Sequence, residues 1–484
     1  MPSQLRHSPT VERALIYAGR NRARFVRELQ RFVGFASVSA QPQHAADLGR
    51  CAEWLAQQLQ AIGMERVHVA PTPRHPIVYA EWRRAPGRPT VLIYGHYDVQ
   101  PADPRSAWRD PPFAATVRGA TLYGRGASDD KGQLWAHIKA LEAYLRTTDG
   151  LPLNVVCVFE GEEEIGSPNL LPFLRSQPAV RAADLALMSD TRFRARGRPA
   201  IIYALRGSLA LDVELHGPAH DLHSGSFGGA IHNPLQALAE LIACLHDRDG
   251  RITIPSFYDQ VRPVSADERA YLAQAGPSDA EILRDARSAA SWGERGYSLY
   301  ERATIRPALT INGISGGYSG PGGKSIIPAR ALAKLSVRLV PDQQPAEIAR
   351  LFGRHWALIT PAGLRSVVRV HSGASPALID PRHWAIRAAA AAYRRGFGAA
   401  PVLLRSGGTI PIVNAFETLL HIPTVLMGFA LPDDRMHAPN EKFELPQLYG
   451  GIATAIAFLD EVGARAAGRG ARPPALALEL KGPL

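Results

Sequence analysis

Five groups of acids and histidines in this chain stand directly after short apolar runs, where a strand would end. Val91–Tyr94 is apolar, and Gly95-His96-Tyr97-Asp98 follows at once. In a strand, residues i and i+2 share a face, so His96 and Asp98 point the same way. A metal-binding histidine donates its second ring N–H to a carboxylate, and Asp98 is placed to accept it. A hydrogen-bonded pair at a strand end is the plainer alternative. Next, Tyr123-Gly-Arg-Gly-Ala-Ser-Asp129-Asp130-Lys-Gly132 opens a helix. Its glycines look like a phosphate loop, but two anions stand where a phosphate needs bare N–H groups and positive charge. An acidic helix start also has an ordinary role as cap and dipole partner. Third, Glu160-Gly-Glu162-Glu163-Glu164-Ile-Gly-Ser167 follows the apolar Asn154–Phe159 run. Three successive carboxylates beside a buried strand need a compensating cation. Asp190 ends a fourth run, Leu185–Ser189, and His437 follows a fifth, Thr424–Gly428. Each alone reads as structural. Together, such strand ends converge on one crevice of an α/β domain.

The elements that must position these residues are legible from periodicity. Apolar spacing predicts helices over 10–35 and 44–62, the latter burying Leu48, Cys51, Leu55, Leu59 and Ile62. Strands are expected at 77–82 and 90–95, and a β-segment reaches Tyr123. A helix over 131–146 follows, then strands over 153–159 and 185–189. This alternation predicts an α/β layered domain with a largely parallel sheet. Near Arg206 the pattern changes to strands at 208–215 and 331–340. Helices at 234–246 (Asn233 as N-cap, Pro234 at its first turn) and 345–353 lie between or after them, with a polar excursion at 258–300. From about 380 the first pattern resumes, with helices at 382–395 and 446–461 and strands at 401–404 and 423–428. The expected organisation is a discontinuous domain of 1–206 and 378–462, an inserted α+β domain of 207–377, and a flexible tail of 463–484.

Composition narrows the function classes. The 484 residues are 46% hydrophobic and 20% charged, which excludes whole-chain disorder. No run approaches the roughly 18 apolar residues of a membrane helix. The N-terminus is polar and Arg-rich without an apolar core, so no secretory signal is expected, and a mitochondrial leader is the weaker alternative. Cys51, Cys157 and Cys244 are too scattered for a disulfide framework or a Cys-based zinc site, which points to the cytoplasm. The net charge of +11 comes from dispersed arginines, so a nucleic-acid partner is not expected.

The runs G-H-Y-D-V, L-Y-G-R-G-A-S-D-D-K-G, E-G-E-E-E-I-G-S, D-L-H-S-G and M-H-A-P-N-E occur in this order. In this the chain resembles the dinuclear zinc family of aminoacylases, carboxypeptidases and carnosinase-like dipeptidases. D-L-H-S-G, K-S-I-I-P-A-R and S-V-R-L-V-P bring it nearest to the cytosolic dipeptidases. The resemblance implies a zinc-peptidase-like catalytic domain, an inserted lid and dimerisation domain, and a homodimer formed through the latter. It implies two divalent metal ions per subunit, zinc first, with manganese or cobalt fitting the same cage. Asp129 would bridge them, Glu164 and His437 would complete one site, and His96 and Asp190 the other. Asp98 would orient His96, Glu163 would be the general base, and Glu162 a spectator. Three carboxylates and a bridging hydroxide balance two divalent cations, which suits a partly buried site.

With those ligand positions filled, His223 is the candidate oxyanion donor, acting in the partner subunit's cleft. His216, His220 and His232 are expected to be ordinary polar residues. Arg338, flanked by apolar strand residues, is costly to bury unless it faces an anion. The resemblance sets Arg338, Ser325, Gly408 and Thr409 at the substrate's C-terminal carboxylate. The expected activity is metal-dependent hydrolysis of the amide bond in dipeptides or short peptides with a free C-terminus. An N-acyl-amino-acid deacylase using the same metals is the close alternative, and a non-catalytic binding protein on the same fold the remote one.

Overall fold

The computed structural model describes residues 8–465. Its larger sheet has nine strands. They run in the order Glu65–Ala70, Ile77–Trp82, Asn154–Glu160, Thr90–His96, Leu185–Met188, Thr424–Leu426, Ala200–Leu205 and Ala377–Leu378, and Val402–Ser406 also pairs with Ala200–Leu205. The four central strands, from Asn154–Glu160 to Thr424–Leu426, are mutually parallel, so their carboxyl ends share one edge. The flanking pairs Glu65–Ala70/Ile77–Trp82 and Ile77–Trp82/Asn154–Glu160 are antiparallel. Central strands such as Thr90–His96 are buried at every position, as expected of a parallel sheet covered on both faces.

The helices over Lys131–Thr147, Trp384–Phe397 and Leu445–Gly463 pack against one another and the sheet. Cys51 fills this core, fully buried. The helix expected over 10–35 is two helices, Pro9–Arg20 and Arg22–Val33. Asn21 divides them, because its side-chain amide and backbone N–H both bond the Tyr17 carbonyl. Such local side-chain bonding competes with helix continuation.

A second sheet is wholly antiparallel, in the order Ala308–Gly316, Arg330–Leu339, Gly207–His216 and Arg365–Ala374. Burial alternates along Gly207–His216 and Arg330–Leu339. One face therefore packs under the helices Pro234–Ala243 and Pro345–Ile359, through Leu209, Leu211, Val337, Leu238, Phe352 and Trp356. The span 207–377 is not all of one body. Its helices Ala266–Ala275 and Leu299–Thr304 turn Leu272, Ala275 and Tyr300 into the larger core, where they brace Val402–Ser406. Within the 258–300 excursion, the helix Ala266–Ala275 and Tyr300 thus buttress the first core, while Tyr258 packs on the second and Trp292 stacks edge-on against His246. The last helix runs to Gly463, and most of the tail expected over 463–484 lies outside the described residues. Among those described, no helix is long and apolar enough to cross a membrane.

Candidate metal centre

The shared edge of the parallel strands carries the acids and histidines singled out above. His96 ends one central strand, and Glu163 and Glu164 sit in the short turn after its neighbour. Asp190 follows the third strand and His437 lies in the loop after the fourth. Two groups of ligand atoms result, with the atoms of each within 4.8 Å of one another. One is His96, Asp129 and Asp190; the other is Asp129, Glu164 and His437. Asp129 belongs to both: its Oδ1 is 3.2 Å from His96 Nε2, and its Oδ2 is 2.9 Å from His437 Nε2. Glu164 Oε1 lies 3.4 Å from His437 Nε2.

Asp98 does two things. Its Oδ1 is 3.4 Å from His96 Nδ1, and its two oxygens accept the backbone N–H groups of Glu163 (3.2 Å) and Glu164 (3.1 Å). Asp98 therefore sets the histidine ring, chiefly through its backbone carbonyl 3.1 Å from His96 Nδ1, and the acidic turn through its carboxylate. Glu162, the extra glutamate of the run, turns away from the cluster. It accepts from the His75 N–H at 2.8 Å, from the Thr72 hydroxyl, and from the backbone and side chain of Asn169.

The electrostatics ask for positive charge. Burial, and then the charge of Asp129, push the Asp190 carboxyl up to about 7. Glu163 lies well above the usual carboxylate range through burial and the charges of Asp190, Glu164 and Asp98, which outweigh the opposing pull of His96. Contact with the Asp129 carboxylate, and then with that of Glu164, raises His437 to about 10. His96 Nε2 and Glu164 Oε1 are buried without a hydrogen-bond partner, a state that costs free energy unless another ligand-seeking group meets them. A nitrogen and oxygen donor set with such orphaned atoms fits divalent metal.

Two acids that sequence reasoning left without a role hold this centre together. Glu441 is fully buried and accepts from Gly126 N (2.9 Å), Ser128 N (2.9 Å), Asp129 N (3.0 Å) and Arg125 Nη1 (2.8 Å). Asp434 accepts from the Ser128 hydroxyl at 3.0 Å and the Leu431 N–H at 2.7 Å. Together they clamp the loop of Asp129 to the loop of His437. The latter loop carries Arg435, His437 and Asn440 at positive φ, a strained conformation that persists only where its surroundings over-determine it. Both acids lie in the Pro432–Glu441 segment. A carboxylate amid apolar and turn residues was the available signal.

Peptidase family M20/M25/M40 matches residues 92–461. The chain belongs to this family. It is 32% identical over 464 residues to the Cys-Gly metallodipeptidase dug1 of Schizosaccharomyces pombe, covering 90% of this chain and 95% of that one. To the human Beta-Ala-His dipeptidase it is 31% identical over 471 residues, covering 93% and 92%. The crystal structure of an M20 family metallo-carboxypeptidase from Sulfolobus solfataricus superposes with a TM-score of 0.82 at 31% identity, covering 91% of this chain and 99% of that one. As an M20 peptidase, the chain is a metal-dependent hydrolase with a catalytic α/β body and a smaller second domain.

The remaining expected site residues fall in two places. A cavity of about 490 Å³ runs from Asp190 past Thr191, Phe193 and Met436 to Gly407, Gly408 and Thr409. At its far end Arg338 Nη1 donates to the Thr409 hydroxyl at 2.9 Å. Arg338, Gly408 and Thr409 are thus together. His223 and Ser325 are elsewhere, on a two-stranded ribbon of Leu222–His223 and Ile326–Ile327, where Ser224 N donates to the Ser325 carbonyl. His223 is exposed and accepts the Gly225 N–H. Among the described residues, no hydrogen bond or ion pair joins this ribbon to Arg338 or to the acidic cluster.

Proposed function

We propose that this M20 peptidase hydrolyses dipeptides bearing a free C-terminal carboxylate, using two divalent metal ions, zinc by preference of the donor set. The observation that carries the reading is the paired ligand groups sharing Asp129, with a cavity running from one of those ligands, Asp190, to Thr409, which Arg338 contacts. Relatives named for Cys-Gly and for β-Ala-His support a dipeptide-sized substrate.

His96 and Asp190 would hold one ion, Glu164 and His437 the other, and Asp129 both. Bound there, such ions supply Lewis acidity and bring the pKa of water from 15.7 towards roughly 7. Glu163 takes the proton of the attacking water and returns it to the leaving amine. The turn that Asp98 holds by the Glu163 and Glu164 N–H groups sets this carboxylate within the acidic cluster. Asp98 keeps His96 in one tautomer and the Glu163–Glu164 turn in place. Arg338 presents a planar fork to the substrate carboxylate, with Thr409 and Gly408 beside it.

The second domain forms a homodimer in this reading. The exposed His223 then reaches the partner subunit's cleft and donates a hydrogen bond to the carbonyl oxygen as charge develops on it. Three unpaired cysteines, two of them buried, suit a cytoplasmic protein.

The test is an amine-release assay on dipeptides, N-acyl amino acids and C-terminally amidated dipeptides, with metal removed and restored. Dipeptides should be cleaved only with divalent metal present, and amides poorly. Full turnover in strong chelator, with trace metal by elemental analysis, would refute the reading.

A further inference from the structure

Arg206 is the residue at which the chain passes from the first sheet, Ala200–Leu205, to the second, Gly207–His216. It is half-buried and carries charge that nothing nearby cancels. Of the arginines around it, Arg405 is neutralised by Glu268 and Arg306 by Glu294. Among the described residues, no carboxylate comes within ion-pair distance of Arg206 or of Arg338. The N–H groups of Arg206 are met by carbonyls instead, those of Gly407 (3.2 Å), Arg302 (3.4 Å) and Arg306 (3.5 Å). Carbonyl partners satisfy donors and leave the charge in place.

A second guanidinium stands beside it. Arg338 pairs with Ser208 across the antiparallel ladder, so Arg206, two residues back on the same face, is its diagonal neighbour. Like charges at such positions are destabilising. Burial, and then the charge of Arg338, lower the Arg206 guanidinium to about 10. Two half-buried cations without an acid describe a site that is completed by an anion.

The backbone of Arg206 is tied to the same place. Its N–H donates to the Gly408 carbonyl at 3.1 Å, and its carbonyl accepts from the Thr409 hydroxyl at 2.7 Å. That hydroxyl is also the one Arg338 contacts. Gly407 has no room for a side chain: a Cβ there would lie 2.4 Å from the Ala303 carbonyl oxygen and 3.0 Å from Arg206.

We propose that Arg206 is a positioning residue for the substrate's C-terminal carboxylate, locking the Gly407–Thr409 turn through its carbonyl contacts and, by its uncancelled charge beside Arg338, selecting an anionic over a neutral chain end. The inference rests on the carboxylate subsite proposed above and adds a residue that does not itself touch the substrate.

The test uses Arg206→Met and Arg206→Gln with two substrates, the dipeptide that the wild type cleaves fastest and the C-terminal amide of that dipeptide. Arg206→Met should raise KM for the acid tenfold or more while kcat stays within about threefold. KM for the amide should move less than twofold, so the acid-over-amide preference falls about tenfold. Arg206→Gln keeps a donor for the Gly407 carbonyl and removes the charge. It should lose the same preference, and it carries the test if the Met variant does not fold. Equal losses on acid and amide, or an unchanged acid KM, would overturn the role of Arg206 alone. A wild type without any acid-over-amide preference would overturn the carboxylate subsite, and this inference with it.

Discussion

Replacing Glu441 by Gln removes one charge and keeps the shape, so its cost can be worked from four bonds. Glu441 Oε1 accepts from Ser128 N and Asp129 N, and Oε2 from Gly126 N and Arg125 Nη1. A glutamine keeps one acceptor oxygen and points an NH₂ at the other two donors. It also leaves the Arg125 guanidinium, 1% exposed, without its counter-charge. Hydrogen bonds to charged groups contribute about 1.5–3 kcal/mol each, and removing one partner of a buried pair costs about 3–5 kcal/mol. We take about 3–5 kcal/mol for the whole change, because these contributions overlap. For a cooperative unit of roughly 300 residues that lowers Tm by about 5–8 °C. One of the lost or strained bonds orients the loop of Asp129, so divalent-metal affinity should fall by about 10–100-fold. Calorimetric melts and equilibrium dialysis with metal read the two effects separately. Arg125→Met and the double variant complete a cycle, in which the coupling should be about 2 kcal/mol or more. A Tm within 2 °C of wild type and an affinity within about twofold would refute the clamp, as would additivity within about 0.5 kcal/mol.

The two glutamates at the end of the acidic run separate cleanly. Glu163→Gln should lose about 10²–10⁴ in kcat and retain its metal, whereas Glu164→Gln should lose metal; the opposite pattern in elemental analysis would mean that their roles are exchanged. His223 is tested by co-expressing His223→Ala with Glu163→Ala, where action in the partner's cleft restores roughly a quarter of wild-type activity through mixed dimers, and no recovery in proven mixed dimers rules it out. His137 is fully buried, its Nε2 2.6 Å from the Ser189 hydroxyl, and burial lowers its pKa to about 3. Below pH 6.5 the unfolded chain therefore binds a proton that the folded chain refuses, so stability present above pH 6.5 is lost as pH falls towards 3. At pH 4.5 this amounts to about 2–3 kcal/mol. His137→Gln should flatten that part of the profile in denaturant titrations at pH 7 and 4.5, and equal slopes for variant and wild type would refute it.

Much of this molecule could be read locally. The positions of His96, Glu164, Asp190 and His437 after apolar runs are consequences of continuous apolar stretches of strand length, which act over a few residues. The same holds for Asn233 and Pro234 at a helix start and for Cys51 within a helical stripe. Asp98 beside His96 follows from i and i+2 sharing a face, yet its grip on the Glu163 and Glu164 N–H groups needs two strands to lie side by side. What only the tertiary structure decided depends on contacts between distant segments. Ser128 and Asp434 are 306 residues apart in the chain, and Glu441 meets its donors across a similar separation. No local propensity encodes such a pairing, since a carboxylate's partners are whatever the closed fold brings to it. The excursion over 258–300 reads as polar and irregular, but packing turns Leu272 and Tyr300 into the larger core. Arg206 reads as a domain boundary, and its role emerged only when two sheets set it diagonally beside Arg338 with no acid within reach. Sequence determined which residues could bind metal, because that is a matter of residue type and strand length. The fold decided which carboxylates hold those residues and which charges go uncancelled, because burial and long-range proximity set both.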